Sequence, residues 1–302
     1  MQIKKKKKIT LFDTVNVVCM CILLFVICYP LYYTVIASVS EGKAVASGKV
    51  FLWPVNFNLD AYKNALDYKY IWYGYANAII NTVLGVLLNL ALTIPAAYAL
   101  SKKKLPLKSQ VTTLFLITMY FGGGLVPTYM LMKNMGLINT RMALIISGGV
   151  SVYNIIVTRV FYRSSIPEGL YEAAEIDGAS EIKKFFSIAL PLSKPIIAVM
   201  TLYYAIGRWN DFFTALIYIS NRKLEPLQLV LRRVLVQNEQ VTSEEFLRQQ
   251  MQTDLIAAAE RAYRAYTMKF AMVFIAAAPL LVAYPFVQKH FVKGVMIGAL
   301  KE

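Results

Sequence analysis

A chain of 302 residues that is 58% apolar and only 16% charged, with a positive mean hydropathy, is too oily for a soluble domain and reads as an all-α polytopic membrane protein. The formal charge of +15 does not point to nucleic acid, because the bases lie in the connections between apolar stretches. A helix needs about 20 mostly apolar residues to cross the hydrocarbon, and six stretches approach that length: roughly 14–37, 73–100, 111–132, 142–162, 192–219 and 267–288.

Lys4 to Lys8 precede the first stretch, and Lys102, Lys103, Lys104 and Lys108 follow the second. Arg163, Lys183 and Lys184 stand between the fourth and fifth, and Lys289, Lys293 and Lys301 follow the last. The positive-inside rule puts all of these, and both termini, on the cytoplasmic side. The basic loop from Ser220 to Tyr266 then falls outside, which the rule tolerates in a long loop. The first stretch imitates a signal peptide up to Ala44-Val45-Ala46, but its apolar core is too long, so it reads as an uncleaved anchor. Cys19, Cys21 and Cys28 within it read as small apolar residues, and the single His290 cannot build a metal cluster.

The segment from Ser38 to Tyr70 carries Trp53, Pro54, Asn56, Phe57 and Asn58. Its end, Tyr68, Tyr70, Trp72, Tyr73 and Tyr75, reads as an interfacial belt or as a sugar-stacking surface. Gly42 to Val50 misses a phosphate-binding loop: the glycines are one residue too far apart and no Ser or Thr follows Lys49. In the second stretch Asn77, Asn81, Gly85 and Asn89 recur every four residues and share one face, which either packs on a neighbouring helix or lines a wet path. Pro95 marks a kink. Phe121-Gly122-Gly123-Gly124-Leu125-Val126-Pro127 predicts a broken third helix, a hinge of the kind found beside cavities. The fourth stretch holds Asn154, and Arg159 close enough to its inner end to snorkel.

Between the fourth and fifth stretches lies a polar loop, 164–191. Pro167 opens a short helix, Gly178 stops it in the left-handed conformation, Ser180 caps a second and Pro191 ends it. The first of these helices sets Leu170, Ala173 and Ala174 on one side with Glu172 and Glu175 beside them. That is the pattern of a plug for a socket, and also that of a solvated interfacial helix.

The fifth stretch contains Tyr203, Tyr204, Gly207-Arg208-Trp209-Asn210-Asp211-Phe212-Phe213 and Tyr218. Arg208 and Asp211 are spaced to pair, either for transport or as a structural brace. Rings beside amides and a carboxylate suit a sugar, whose C–H faces pack on aromatics while its hydroxyls seek polar groups. Beyond it, 226–236 and 254–266 predict two helices outside the membrane. The sixth stretch holds Pro279 and Pro285, and a tail from Phe291 to Leu300 follows.

Glu172-Ala173-Ala174, then Gly178, then Ile188-x-Leu190-Pro191 resembles, position for position, the cytoplasmic loop signature of permease subunits in binding-protein-dependent ABC importers. The glycine run of the third stretch, the Trp209 to Phe213 cluster and the Val292-Lys293-Gly294-Val295-Met296-Ile297-Gly298 tail look like those of the carbohydrate-uptake group, of maltose and oligo- or polysaccharide type. The likeness covers nearly the whole chain. It implies the six-helix type I importer permease fold in a prokaryotic plasma membrane, with a basic cytoplasmic N-terminus (1–13), a transmembrane domain (14–288) holding the coupling loop and a large extracytoplasmic loop (220–266), and a cytoplasmic tail (289–302).

The resemblance further implies a coupling helix docked on an ATPase through Glu172, Ala173, Ala174, Asp177, Gly178, Ile188, Leu190 and Pro191, with Glu172 pairing a base and Gly178 supplying the bend. Its partners are a second, dissimilar permease, two ATPases that bind ATP and Mg, and an external binding protein whose contact surface is the outer loop. No catalysis, cofactor or metal belongs to this chain. Asn77, Asn81, Gly123, Asn154, Tyr204, Trp209, Asn210, Asp211 and Phe212 are the substrate-path residues, and Lys293, Gly294, Met296 and Gly298 the tail contacts. Against this stand an ion-coupled secondary transporter, expected to hold mid-membrane carboxylates where only Asp211 is well inside a stretch, a permease for another small solute, and a membrane enzyme, for which no H-E-x-x-H or G-x-S-x-G motif is present.

Overall fold

The computed structural model describes residues 11–242 and 255–299, apart from the side chains of 238–242, 255–258, 261 and 283–299. All regular structure among them is helical: α1 Leu11–Ser38, α2 Gly42–Ala46, α3 Asp60–Leu66, α4 Lys69–Ser101, α5 Lys108–Tyr120, α6 Leu125–Asn134, α7 Arg141–Ile146, α8 Val152–Ser165, α9 Glu168–Ile176 and α10 Glu181–Lys184. After a π-helical turn (Phe185–Ala189) come α11 Leu190–Leu192, α12 Lys194–Asn210, α13 Phe213–Tyr218, α14 Leu227–Thr242 and α15 Leu255–Ala299. The chain forms two compact units, one from the residues up to Tyr68 with Arg233–Ala276, the other from Lys69–Arg232 with the residues from Ala277 on.

In the first unit α1 is apolar and bare over its most hydrophobic window. It becomes buried only at Ile36, Ala37 and Ser38, the first two of which meet Ala44, Val45 and Val50. The second unit is organised on α4, which runs unbroken through Pro95. Its inner-core clusters join Val86 to Ile196, Met200 and Tyr204, and Ile94, Ala97 and Tyr98 to Ile155, Tyr162 and Ala189.

α1, α4 and the Ala262–Val282 part of α15 are long and apolar enough to cross a membrane. Two further pairs pass that test only when taken together: α5 with α6, bent by 110°, and Glu181–Leu192 with α12, bent by 76°. The break after Phe121 falls where the glycine run places it. Three other expectations are redrawn. The fourth stretch is not one helix but α7 and α8, separated by Ser147–Ser151; the fifth breaks at Asp211 and Phe212; and the outer helix expected at 254–266, the sixth stretch and the tail as far as Ala299 run together as α15.

The break in the fourth stretch has an identifiable support. Freed carbonyls at membrane depth need donors from elsewhere in the protein, and two side chains supply them. Arg208 donates through Nη1 to the carbonyls of Leu144 (2.6 Å) and Ser147 (2.7 Å) and through Nη2 to that of Ile145 (3.0 Å). Asn89 Nδ2 donates to the carbonyls of Gly148 and Gly149, both at 2.8 Å, and its Oδ1 accepts from Arg208 Nε at 3.1 Å. Gly85 leaves room for the guanidinium, since a Cβ there would lie 2.8 Å from Arg208 Nε. The Arg208–Asp211 ion pair suggested by their spacing does not form: Asp211 Oδ1 accepts from Thr214 N (3.0 Å) and starts α13.

Arg208→Met leaves three carbonyls without a donor and is expected to cost about 3 kcal/mol or more. It should lower the thermal midpoint of the detergent-solubilised protein, measured by loss of the monodisperse peak. Asp211→Asn keeps an oxygen for Thr214 and should leave that midpoint nearly unchanged.

Candidate functional site: the helix Glu168–Ile176 and its socket

α9 is written by local rules. Pro167 precedes it in extended conformation, and its end closes through Ala179 N to Ala174 O (2.8 Å) and Gly178 N to Glu175 O (3.1 Å). That double closure needs a left-handed residue, and Gly178 supplies it at φ +72°. Ser180 Oγ then accepts from Lys183 N and caps α10. The second helix does not stop at Pro191, as the sequence suggests. A proline ring clashes with the carbonyl four residues back in a regular α-helix; the wide turn at Phe185–Ala189 shifts that carbonyl, and Pro191 is accommodated inside α11.

Ion pairs and rings hold α9 against the turn after α4. Lys103 Nζ meets Glu168 at 2.6 Å, and Lys104 Nζ meets Glu175 at 3.2 Å. Lys184, only 3% exposed, bridges Glu175 at 3.2 Å and Glu181 at 3.0 Å, while the Tyr98 hydroxyl donates to Glu181 at 3.3 Å. The Lys102 ammonium sits over the rings of Tyr171 (3.1 Å) and Tyr98 (4.4 Å). Hydrogen bonds from Lys104 and Lys184 hold the Glu175 carboxyl below its ordinary range, and one from Lys103 does the same for Glu168. Burial pushes the Tyr171 hydroxyl up to about 12.

The opposite side of α9 is unoccupied by the protein itself. Glu172, Ala173, Ile176 and Asp177 are exposed, and Glu172 makes no hydrogen bond or ion pair among the described residues. Ile176 is 87% exposed, Ile182 71% and Phe186 60%. These three were not singled out from sequence; the available signal was an apolar residue directly before the Asp177-Gly178 stop. Ala174 is half-buried and leaves the outward face, and Leu190 packs on the core while Ile188 is half-buried. Within the signature, then, Glu172, Ala173, Asp177 and Pro191 look outward and the aliphatic end looks in.

The substrate-path residues do not share one surface. Asn77 is bonded internally, Nδ2 to the carbonyls of Lys223 (2.7 Å) and Glu225 (3.1 Å) and Oδ1 from Arg141 Nη2 (2.8 Å). Asn81 presents a buried Oδ1 with no partner among the described residues. Tyr204 is buried with its hydroxyl on Thr93 Oγ1 at 2.6 Å, and Asn154 and Trp209 are also buried. Gly123 and Asn210 are exposed, Asp211 half-exposed, and Phe212, half-exposed, lies under the Arg232 guanidinium at 4.7 Å. Lys293, Gly294, Met296 and Gly298 fall within α15, but their side chains lie outside the described residues.

A helical membrane chain that pins a short acidic helix on one side and bares it on the other has the build of a transport subunit moved by another protein. Residues 71–297 match the family of binding-protein-dependent transport system inner membrane components, and the chain belongs to that family. It is 37% identical to Protein LplC of Bacillus subtilis over 273 residues, covering 90% of this chain and 88% of that one. It is 34% identical to the polygalacturonan/rhamnogalacturonan transport system permease protein YtcP of the same species, over 90% and 92% of the two chains. A chain in the crystal structure of a bacterial ABC transporter involved in the import of the acidic polysaccharide alginate superposes with a TM-score of 0.82 at 33% identity, over 96% of this chain and 100% of that chain.

Carboxylates whose folded values are depressed stabilise a contact at neutral pH and release it as pH falls through those values. A spin label at Ile176, in a background without the three native cysteines, should therefore gain mobility as pH drops from 7 to below roughly 4. Glu175→Gln should show the mobile spectrum already at pH 7.

Proposed function

We propose that this chain is one of two permeases that together form the membrane path of an ATP-driven importer for an oligosaccharide or polysaccharide fragment. In this reading the chain crosses the membrane six times, some of the crossings broken or bent, with both termini and α9 on the cytoplasmic side. A second permease completes the path, a pair of ATPases binds and hydrolyses ATP with Mg, and an external protein delivers the sugar. The observation that carries the reading is α9 itself: braced to its own chain by Glu168 and Glu175, it offers a free carboxylate at Glu172 and bare aliphatic surface at Ile176 to a partner.

Closure of the ATPase pair on ATP pulls on that surface. Because α9 is tied to the turn after α4 and to α10, the displacement passes into the helices that line the path. A motor drives a two-state bundle only through contacts that differ between the states, and a docked helix at the edge of the bundle makes such contacts. Hydrolysis returns the bundle to the inward-open state.

For the substrate, the acidic polymers named for two relatives support a uronate-rich fragment. Arg232 over Phe212 (4.7 Å) and Arg222 over Tyr70 (5.7 Å) add to this. Neither arginine has a carboxylate partner among the described residues, so each offers a cation beside a ring, a pairing suited to a sugar acid.

In the reconstituted importer, Glu172→Lys should leave assembly intact and reduce sugar-stimulated ATP hydrolysis by about tenfold, the worth of one charge-assisted contact. Unchanged stimulation removes the docking role. Transport that survives loss of ATP and follows the ion gradient instead would overturn the importer reading.

A further inference from the structure

A cavity of about 550 Å³ lies between the turn after α4, the end of α8 and the inner face of α9. The functional reading leaves it without a task. Its wall holds five cations, Lys102, Lys103, Lys104, Arg163 and Lys184, and four carboxylates, Glu168, Glu172, Glu175 and Glu181. Three of the carboxylates are matched by Lys103, Lys104 and Lys184; Glu172, exposed at the rim, has no ion-pair partner among the described residues, so the wall keeps an excess of one positive charge.

Lys102 and Arg163 remain, with no carboxylate within ion-pair distance among the described residues. The Tyr171 hydroxyl is buried beside them and also has no hydrogen-bond partner there. Burial lowers the Lys102 ammonium below the ordinary lysine range. Two cations and a hydroxyl converging on one hollow form a donor set for an anion with several oxygens.

We propose that this cavity binds a phosphate group, and that in the membrane the phosphate is that of an anionic phospholipid headgroup. The position argues for lipid over a free anion. The hollow opens where the apolar run of α4 stops at Ser101 and where α8 stops at Ser165, the level at which headgroup phosphates lie along a spanning helix. A headgroup seated there touches Lys102, which itself rests on Tyr171 of α9, so lipid charge sets how firmly α9 is held. The inference rests on the importer reading only in taking α4 as a span and α9 as the coupling helix.

The test uses the assembled importer in nanodiscs of phosphatidylcholine with increasing phosphatidylglycerol, read by lipid retention in native mass spectrometry and by protection of Lys102 from an amine-reactive label. The wild type should retain phosphatidylglycerol and protect Lys102. Lys102→Gln with Arg163→Gln should weaken retention by about tenfold or more, while Lys103→Gln, whose charge is matched by Glu168, should not. Inorganic phosphate added to phosphatidylcholine discs distinguishes the sources: protection by phosphate alone assigns a free anion, protection by phosphatidylglycerol alone a headgroup, and both support the anion site. Equal retention by wild type and double variant, or protection of Lys102 by the ATPase in lipid without anionic headgroups, overturns it. Since sugar-stimulated ATP hydrolysis in phosphatidylcholine is read on the same discs, failure of the lipid site is separable from failure of the importer reading.

Discussion

The second unit depends on how the carbonyls of an interrupted helix are satisfied away from water. A helix that stops away from water leaves acceptors that need donors from elsewhere in the protein, and the α7–α8 break frees such carbonyls beside Arg208 and Asn89. Arg208 and Asn89 answer it from two other helices, and each also bonds the other. The result is a junction of α4, α12, α7 and the segment that follows α7, made of hydrogen bonds with geometry more demanding than apolar packing supplies. A charged guanidinium is tolerated there because its donors point at carbonyl oxygens, and Gly85 keeps the space open.

At the end of α4 the same residue types are used differently. The turn after Ser101 and α9 are joined by exposed ion pairs, each of small worth because water screens it, while one buried lysine of α10, shared between two glutamates, ties α9 to α10. Such a joint holds an orientation without locking it, which suits the coupling role proposed for α9. The contrast between an internal junction with no slack and a peripheral joint with some is consistent with a permease moved from one end.

The elements legible in the sequence are those whose causes are local. Pro167, Gly178 and Ser180 lie within a few residues of the helix ends they determine, and the glycine run at 122–124 breaks the third helix by itself. The split of the fourth stretch was not legible, because its donors come from Asn89 and Arg208, distant in sequence. Spacing offered Arg208 and Asp211 as a pair, but the guanidinium is turned to the carbonyls of Leu144, Ile145 and Ser147 while Asp211 accepts from Thr214 N. The face of asparagines on α4 could be read as polar; only the partners show that Asn77 and Asn89 tie together main chain of other segments. Ile176, Ile182 and Phe186 escaped notice because, in a chain rich in aliphatics, nothing in composition marks which of them face outward.

α4 also acts as a beam. Its 33 residues span about 50 Å, with Tyr98 near one end under the ring-and-lysine contact of α9 and Asn77 toward the other, holding the main chain at Lys223 and Glu225. Pro95 sits between these attachments and removes one rung of the helical ladder, so the beam is most compliant just above the place where it is loaded. Under the proposed coupling, a small tilt at the α9 end would be taken up as flexure at that joint, and only a larger stroke would reach the far end.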